Sequence, residues 1–462
     1  MRDVVLLIDI GSTFTKVTAV DIKNECILAR ARSFTTVSTD INNGLNDAVI
    51  QLKKQIGEFN ITKRLAASSA AGGLKMVSIG LVPELTVKAA KMAALSAGAK
   101  LMKAYSYELC EDEADEIEKL KPDIILLSGG TDGGNSSVIL NNAQIIANIS
   151  INTPVVIAGN KKAARKCEKI LTESGKRVIV TENVMPEFNV LNIIPAQNAI
   201  REIFLERIIR AKGITQVEGL IEGIIMPTPS AVMQAAQLLA KGTITEKGIG
   251  DLLLVDMGGA TTDVYSVCEG KPSTDGVVLK GLPEPFSKRT VEGDLGARYS
   301  AESVIEAYGM DNFLYKSKLT QEFVDEYLLK IKEDPSIIEK DGNGEIFDRT
   351  VAKCAVEMAV KRHSGILEKN YTMNGLIFVQ NGKDLSQVNT VIGTGGPIID
   401  AVHPQEIMSE ALFNEKDPYS LRPKNAKLFI DKDYIYAAMG LLSNSYPDVA
   451  LRILKSETIE LK

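Results

Sequence analysis

Apolar residues along this chain gather into short unbroken runs separated by polar, glycine-bearing turns, the pattern of strands buried on both faces. In the first half the runs predict strands over 4–9, 14–20 and 26–31, and a helix over about 44–57. A strand near 64–70 follows, ended by Gly72-Gly73. Leu85, Ala89, Met92 and Ala93 keep helical spacing and place a helix within 84–98. From about 100 to 185 the pattern becomes a regular alternation. Strands over 123–128, 154–158 and 177–181 are interleaved with helices near 137–148 and 161–173, so a parallel sheet is expected. Helices over 196–211 and 229–241 come next, and the polar stretch from Gly242 to Gly250 reads as a hinge. A strand from 251, a polar helix-rich region over about 286–369, strands at 375–380 and 427–430, and a helix over 434–444 complete the pattern.

One piece of this pattern occurs twice. Leu6-Leu7-Ile8-Asp9-Ile10-Gly11-Ser12-Thr13-Phe14-Thr15-Lys16-Val17 is echoed by Leu253-Leu254-Val255-Asp256-Met257-Gly258-Gly259-Ala260-Thr261-Thr262-Asp263-Val264. Each copy reads as a buried strand, a turn of small residues carrying an acid, and a second β-rich strand. The repeat divides the chain into halves, 1–245 and 246–462. The first half then carries an α/β insertion over about 100–185, and the second a helical insertion over about 286–369.

At 462 residues the chain is too long for one simple core. Its 45% hydrophobic and 24% charged residues are those of an ordinary globular protein. A net charge of −6 without a basic run argues against a nucleic-acid partner. Asp9 interrupts the N-terminal apolar run, and no stretch reaches the ~18 residues of a membrane span, so no membrane association is expected. The five cysteines lie far apart with no CxxC pair, which disfavours disulfides, structural zinc and a clustered iron–sulfur site and fits a cytoplasmic location. With only two histidines, His363 and His403, a histidine triad or histidine-rich metal site is nearly excluded. His363 lies in a Lys/Arg-rich helical stretch and reads as a surface residue.

The twin turns suit phosphate. Asp9 and Asp256, at matching strand ends, would bracket one Mg²⁺ through water, because magnesium gives up its hydration shell reluctantly. Gly11, Ser12 and Thr13 in one copy, and Gly258, Gly259 and Ala260 in the other, are small enough for backbone N–H groups to approach phosphate. Thr15, Thr261 and Thr262 complete the candidate set. Lys16 would reach a β- or γ-phosphate, and Asp263, at the same place in the second copy, would orient an attacking water. The plainer reading is that both aspartates merely cap turns. The turn Gly393-Thr394-Gly395-Gly396-Pro397 ends an apolar strand and opens a helix near Ile398, which suits a nucleotide base and its α-phosphate. Two segments stay open. Ser128-Gly-Gly-Thr-Asp-Gly-Gly-Asn135 is either a tight loop, the favoured reading, or a second ligand site at a sheet's carboxyl end. Arg289, Glu292, Asp294 and Arg298 either reach into the cleft or pair with one another at a solvated helix start.

The two DxG hairpins, the GTGGP turn, and the small-residue helices at 229–241 and 434–444 resemble the actin, heat-shock-chaperone and sugar-kinase ATPase superfamily. That resemblance implies an α/β protein of two ribonuclease-H-like domains, with ATP and Mg²⁺ in the cleft and the two helices crossing between domains. Ser128–Asn135, Asn183-Val-Met-Pro-Glu-Phe-Asn-Val-Leu-Asn192 and Arg289-Thr-Val-Glu-Gly-Asp-Leu-Gly-Ala-Arg298 are more specific, and the whole chain resembles the glutamate mutase accessory family (GlmL, also called MutL). The family resemblance implies an ATPase that reactivates an adenosylcobalamin-dependent mutase whose subunits are its partners. No DxHxxG cobalamin signature occurs, so cofactor chemistry would belong to the partner. A small-molecule kinase or ATP-dependent amidohydrolase with the same clamp is the alternative.

Overall fold

The computed structural model describes residues 2–11, 14–34, 41–68, 74–211, 224–373 and 375–461. The chain forms two compact units. One comprises Met1–Ala235, Gly281–Pro283 and Ala437–Ile453; the other comprises Ala236–Lys280, Glu284–Tyr436 and Leu454–Lys462. Divisions therefore fall inside helices Thr228–Lys241 and Pro447–Glu457 and at the start of helix Tyr436–Ser443. The segment from Gly242 to Gly250, read above as a hinge, lies wholly in the second unit. It folds back on its own helix: Thr243 N–H donates to the Glu246 carbonyl, Ile249 N–H to Leu239 and Gly250 N–H to Ala240.

The first unit is built on a sheet ordered Ile224–Pro227, Phe59–Ser68, Arg2–Ile10, Phe14–Asp21, Cys26–Phe34. Arg2–Ile10 runs antiparallel to Phe14–Asp21, which runs antiparallel to Cys26–Phe34; on its other side the pairing is parallel. The second unit repeats this plan with Lys427–Asp431, Thr390–Thr394, Leu252–Met257, Thr262–Val267 and Ser287–Glu292, and adds Thr458–Glu460 as an outer strand. Order and direction match strand for strand, and in both repeats a helix follows the fifth strand along the chain. This is the ribonuclease-H-like arrangement, present twice, so the sequence repeat is the visible part of a duplicated fold. The central strands are apolar throughout because both faces are covered: Leu252, Leu253, Leu254 and Val255 are all fully buried.

The α/β insertion starts earlier than its sequence pattern suggests. Its sheet is wholly parallel and ordered Ala99–Ser106, Leu74–Gly80, Ile124–Leu127, Val155–Ile157, Val178–Val180, so it begins at 74 and not near 100. Ala99–Ser106 is an edge strand with Met102 and Lys103 exposed, and an edge strand has no reason to read as an apolar run. The region over 286–369 likewise opens with a strand, Ser287–Glu292, at a sheet position where polar residues are tolerated. Helices Ala301–Tyr308, Met310–Ser317, Gln321–Glu333 and Gly342–His363 then follow. Among the described residues no helix is long and apolar enough to cross a membrane, and all five cysteines are free thiols.

Candidate functional site

The two hairpin turns close with the same bond. Gly11 N–H donates to the Phe14 carbonyl at 3.0 Å, and Gly258 N–H to the Thr261 carbonyl at 2.8 Å. Register places Asp9 opposite Lys16 in the first unit and Asp256 opposite Asp263 in the second. Ser12 and Thr13 lie outside the described residues. Asp9 is 9% exposed and accepts a hydrogen bond from Thr228 Oγ1 at 2.6 Å, a residue that opens the helix after the fifth strand. Lys16 and Asp256 are half-buried. Thr15 and Thr262 prove to be interior residues: both are fully buried, and Thr262 Oγ1 donates to the Leu295 carbonyl at 2.6 Å. Strand alternation is the reason, since the neighbours Lys16 and Asp263 take the opposite face. Their hydroxyls leave the candidate phosphate set, whereas Gly258, Gly259 and Thr261 are partly exposed and Ala260 is exposed.

Asp263 is not a lone carboxylate. Arg289 Nε and Nη2 both meet its Oδ1, at 2.8 and 2.6 Å, and the guanidinium lies 5.8 Å from the Tyr265 ring centre. Glu292 and Asp294 share Arg362, and Arg298 forms a two-pronged pair with Asp348 at 2.8 and 2.7 Å. None of the four residues left open above pairs with another of them: each is held by a residue outside the segment, and Arg298 also bounds the cleft described below. Burial pushes the Asp348 carboxyl up, and Arg298 opposes that shift.

In the second unit the hairpin turn and the glycine turn meet. Strand Thr390–Thr394 runs parallel to Leu252–Met257 and ends at Gly395, whose φ is +91°. A Cβ there would stand 2.1 Å from the Met257 carbonyl oxygen, so only glycine permits the approach. On the other side Arg298 and Tyr299 N–H donate to the Gly259 carbonyl at 2.8 and 2.9 Å. Between these turns lies a cleft of about 210 Å³, bounded by Gly259, Arg298, Asp348, Gly396, Pro397 and Val402. Thr394 does not face it. The side chain is buried and donates to Asp431 Oδ2 at 2.9 Å. Asp431 also accepts Ile435 N–H, and burial pushes its carboxyl up to about 6. Gly393 is enclosed as well, since a Cβ would meet Met408 Sδ at 2.6 Å. No group of three or more His, Cys, Asp or Glu side chains gathers among the described residues, and Asp256 stands in register opposite Asp263.

His363 is not a surface residue. It is fully buried, with Nδ1 2.8 Å from Thr290 Oγ1 and Nε2 2.8 Å from Ser266 Oγ. Burial, aided by the charges of Lys288 and Lys383, pulls its pKa well below the usual value. The cationic neighbours Lys361 and Arg362 occupy the outer face of the same helix end. The Ser128–Asn135 segment is a tight loop: Asn160 Nδ2 donates to the Gly134 and Asn135 carbonyls at 3.1 Å, and Asn183 Nδ2 to Gly130 at 2.9 Å.

Residues 5–458 match the family described as MutL protein. Protein MutL of Clostridium tetanomorphum is 49% identical over 465 residues, covering 99% of this chain and all of that one. Among solved structures, gluconate kinase from Lactobacillus acidophilus is 10% identical with a TM-score of 0.38, covering 100% of this chain and 93% of its own. Xylulose kinase from Bifidobacterium adolescentis is 10% identical with a TM-score of 0.33, covering 99% and 94%. The strand order, and not these loose superpositions, identifies the fold. With a family match that spans nearly every residue and a full-length relative at 49% identity, the chain belongs to the MutL protein family.

Proposed function

We propose that this chain is an ATP-binding accessory protein that restores an inactivated adenosylcobalamin-dependent mutase, glutamate (methylaspartate) mutase. The observation that carries the nucleotide half is the cleft of the second unit, where the repeated hairpin turn and the GTGGP turn face one another. Gly259 and Ala260 N–H have no acceptor among the described residues and so remain for phosphate oxygens. Gly396 and Pro397 offer a flat wall to a base, and Arg298, fixed by Asp348, supplies a cation at the rim. Magnesium, when bound, neutralises phosphate charge, and Asp256, near the end of its strand, would hold it through water. Membership of the MutL family supports the mutase half.

The test mixes the full chain with ATP and magnesium and with mutase inactivated by damaged cobalamin, then adds adenosylcobalamin. Recovery of mutase activity that needs ATP and is lost in Asp256→Ala is the expected outcome. Recovery independent of ATP, or equal in Asp9→Ala, Asp256→Ala and wild type, overturns the proposal.

A further inference from the structure

Among the described residues the largest fully buried side chain is Arg422, 1% exposed. It has an incomplete set of partners. Nε donates to Ser420 Oγ at 3.1 Å and Nη1 to the Glu410 carbonyl at 3.2 Å. A guanidinium carries five N–H bonds, so three remain. Among the described residues Nη2 has no acceptor, and no carboxylate lies within ion-pair reach of the group. The carboxylate of Glu410 is turned instead to Lys316 Nζ at 2.9 Å and Lys353 Nζ at 3.5 Å. A buried cation is normally compensated by a counter-charge, because leaving water without one is costly.

Arg422 lines a cavity of about 310 Å³ together with Leu412, Phe413, Asn414, Lys416 and two acidic residues, Glu410 and Glu415. Lys416 is exposed and makes no ion pair among the described residues, so a second cation stands at the rim. The loop is already shaped: Asn414 Oδ1 accepts Lys416 N–H, its carbonyl accepts Asp417 N–H, and Phe413 N–H donates to the Pro423 carbonyl. The N–H groups of Asn414 and Glu415 have no acceptor among the described residues. The Glu410 carboxylate is engaged by two lysines and the exposed Glu415 adjoins Lys416, so the groups left to hold an anion are the Arg422 edge and the two N–H donors. This cavity shares no lining residue with the nucleotide cleft.

We infer that this pocket is a binding site for a small oxyanion, a carboxylate or phosphate group, seated on the free edge of the Arg422 guanidinium. Such an edge takes a planar or tetrahedral oxyanion through two parallel N–H bonds, which a lysine cannot reproduce. Leu412 and Phe413 leave room for a short apolar portion, so an organic acid or organic phosphate fits the space as well as a bare ion does. Nothing in this inference depends on nucleotide binding.

Calorimetric titration of the full chain with glutarate, and separately with inorganic phosphate, at constant ionic strength tests the site and distinguishes its two sources. At least one probe binds wild type, and Lys416→Glu weakens it about tenfold by reversing the rim charge. Arg422→Lys, which keeps the charge and loses the fork, abolishes binding. Lys416 is exposed, so its variant folds and decides the matter even where a change at Arg422 perturbs the core. Absence of binding for both probes at millimolar concentration, or binding that Lys416→Glu leaves unchanged, overturns the inference.

Discussion

Removing Arg289 should unsettle the second ribonuclease-H-like unit far more than removing an ordinary surface arginine. Its side chain is 5% exposed and its partner Asp263 15% exposed, so neither charge is screened by solvent. Both contacting nitrogens engage Oδ1, and the guanidinium lies against Tyr265. Arg289→Met keeps the apolar stem but leaves Asp263 as an uncompensated buried carboxylate, a change that costs about 3–5 kcal/mol in such settings. For a unit of this size each 1 kcal/mol moves the melting midpoint by roughly 2–4 °C, so a drop of roughly 6–20 °C is expected. Arg289→Met combined with Asp263→Leu removes both charges together and should recover most of the loss. The chain lacks tryptophan, so far-UV circular dichroism is the natural probe, with hydrogen exchange across Thr262–Val267 localising the effect. A single variant that melts within 2–4 °C of wild type, roughly the effect of 1 kcal/mol, would refute the reasoning, as would a double variant that melts as low as the two single changes summed.

Three further outcomes follow from buried groups. The native state holds His363 neutral, whereas the unfolded chain takes up a proton below about pH 6.5, so stability falls as pH drops through that value. At pH 5.5 the loss is on the order of 1 kcal/mol, and denaturant titrations should show it in wild type and not in His363→Gln. Asp431 acts in the opposite sense: with its carboxyl raised to about 6 from 3.8, the native state binds the proton more tightly, and stability falls as pH rises from about 4 to 6. That slope, worth about 3 kcal/mol in total, should vanish in Asp431→Asn; equal pH profiles for variant and wild type would contradict it. Gly395→Ala drives a methyl into the Met257 carbonyl and should lower both thermal stability and ATP affinity, whereas Gly133→Ala, where a Cβ meets nothing, should alter neither.

What the sequence reveals and what it hides have a common physical cause. Strands 252–257 and 390–394 are covered on both faces, so they must be apolar and announce themselves; edge strands 99–106 and 287–292 meet solvent, so their composition carries no such demand. The turns were legible because backbone geometry leaves no choice of residue. At Gly395 any side chain would overlap Met257, and at Gly11 a Cβ would stand 2.6 Å from the Phe14 carbonyl oxygen. Buried polar side chains carry no local demand of this kind. His363 is satisfied by Ser266, 97 positions away, and Lys383 by carbonyls of Pro285 and Phe286. Asp263 shows the boundary most clearly. Its place beside the turn follows from the repeat, yet Arg289, which holds it, belongs to an edge strand that reads as polar surface. A carboxylate with one oxygen fixed by a buried arginine is oriented before any ligand arrives. The strand that sets its direction is the one least visible in the sequence.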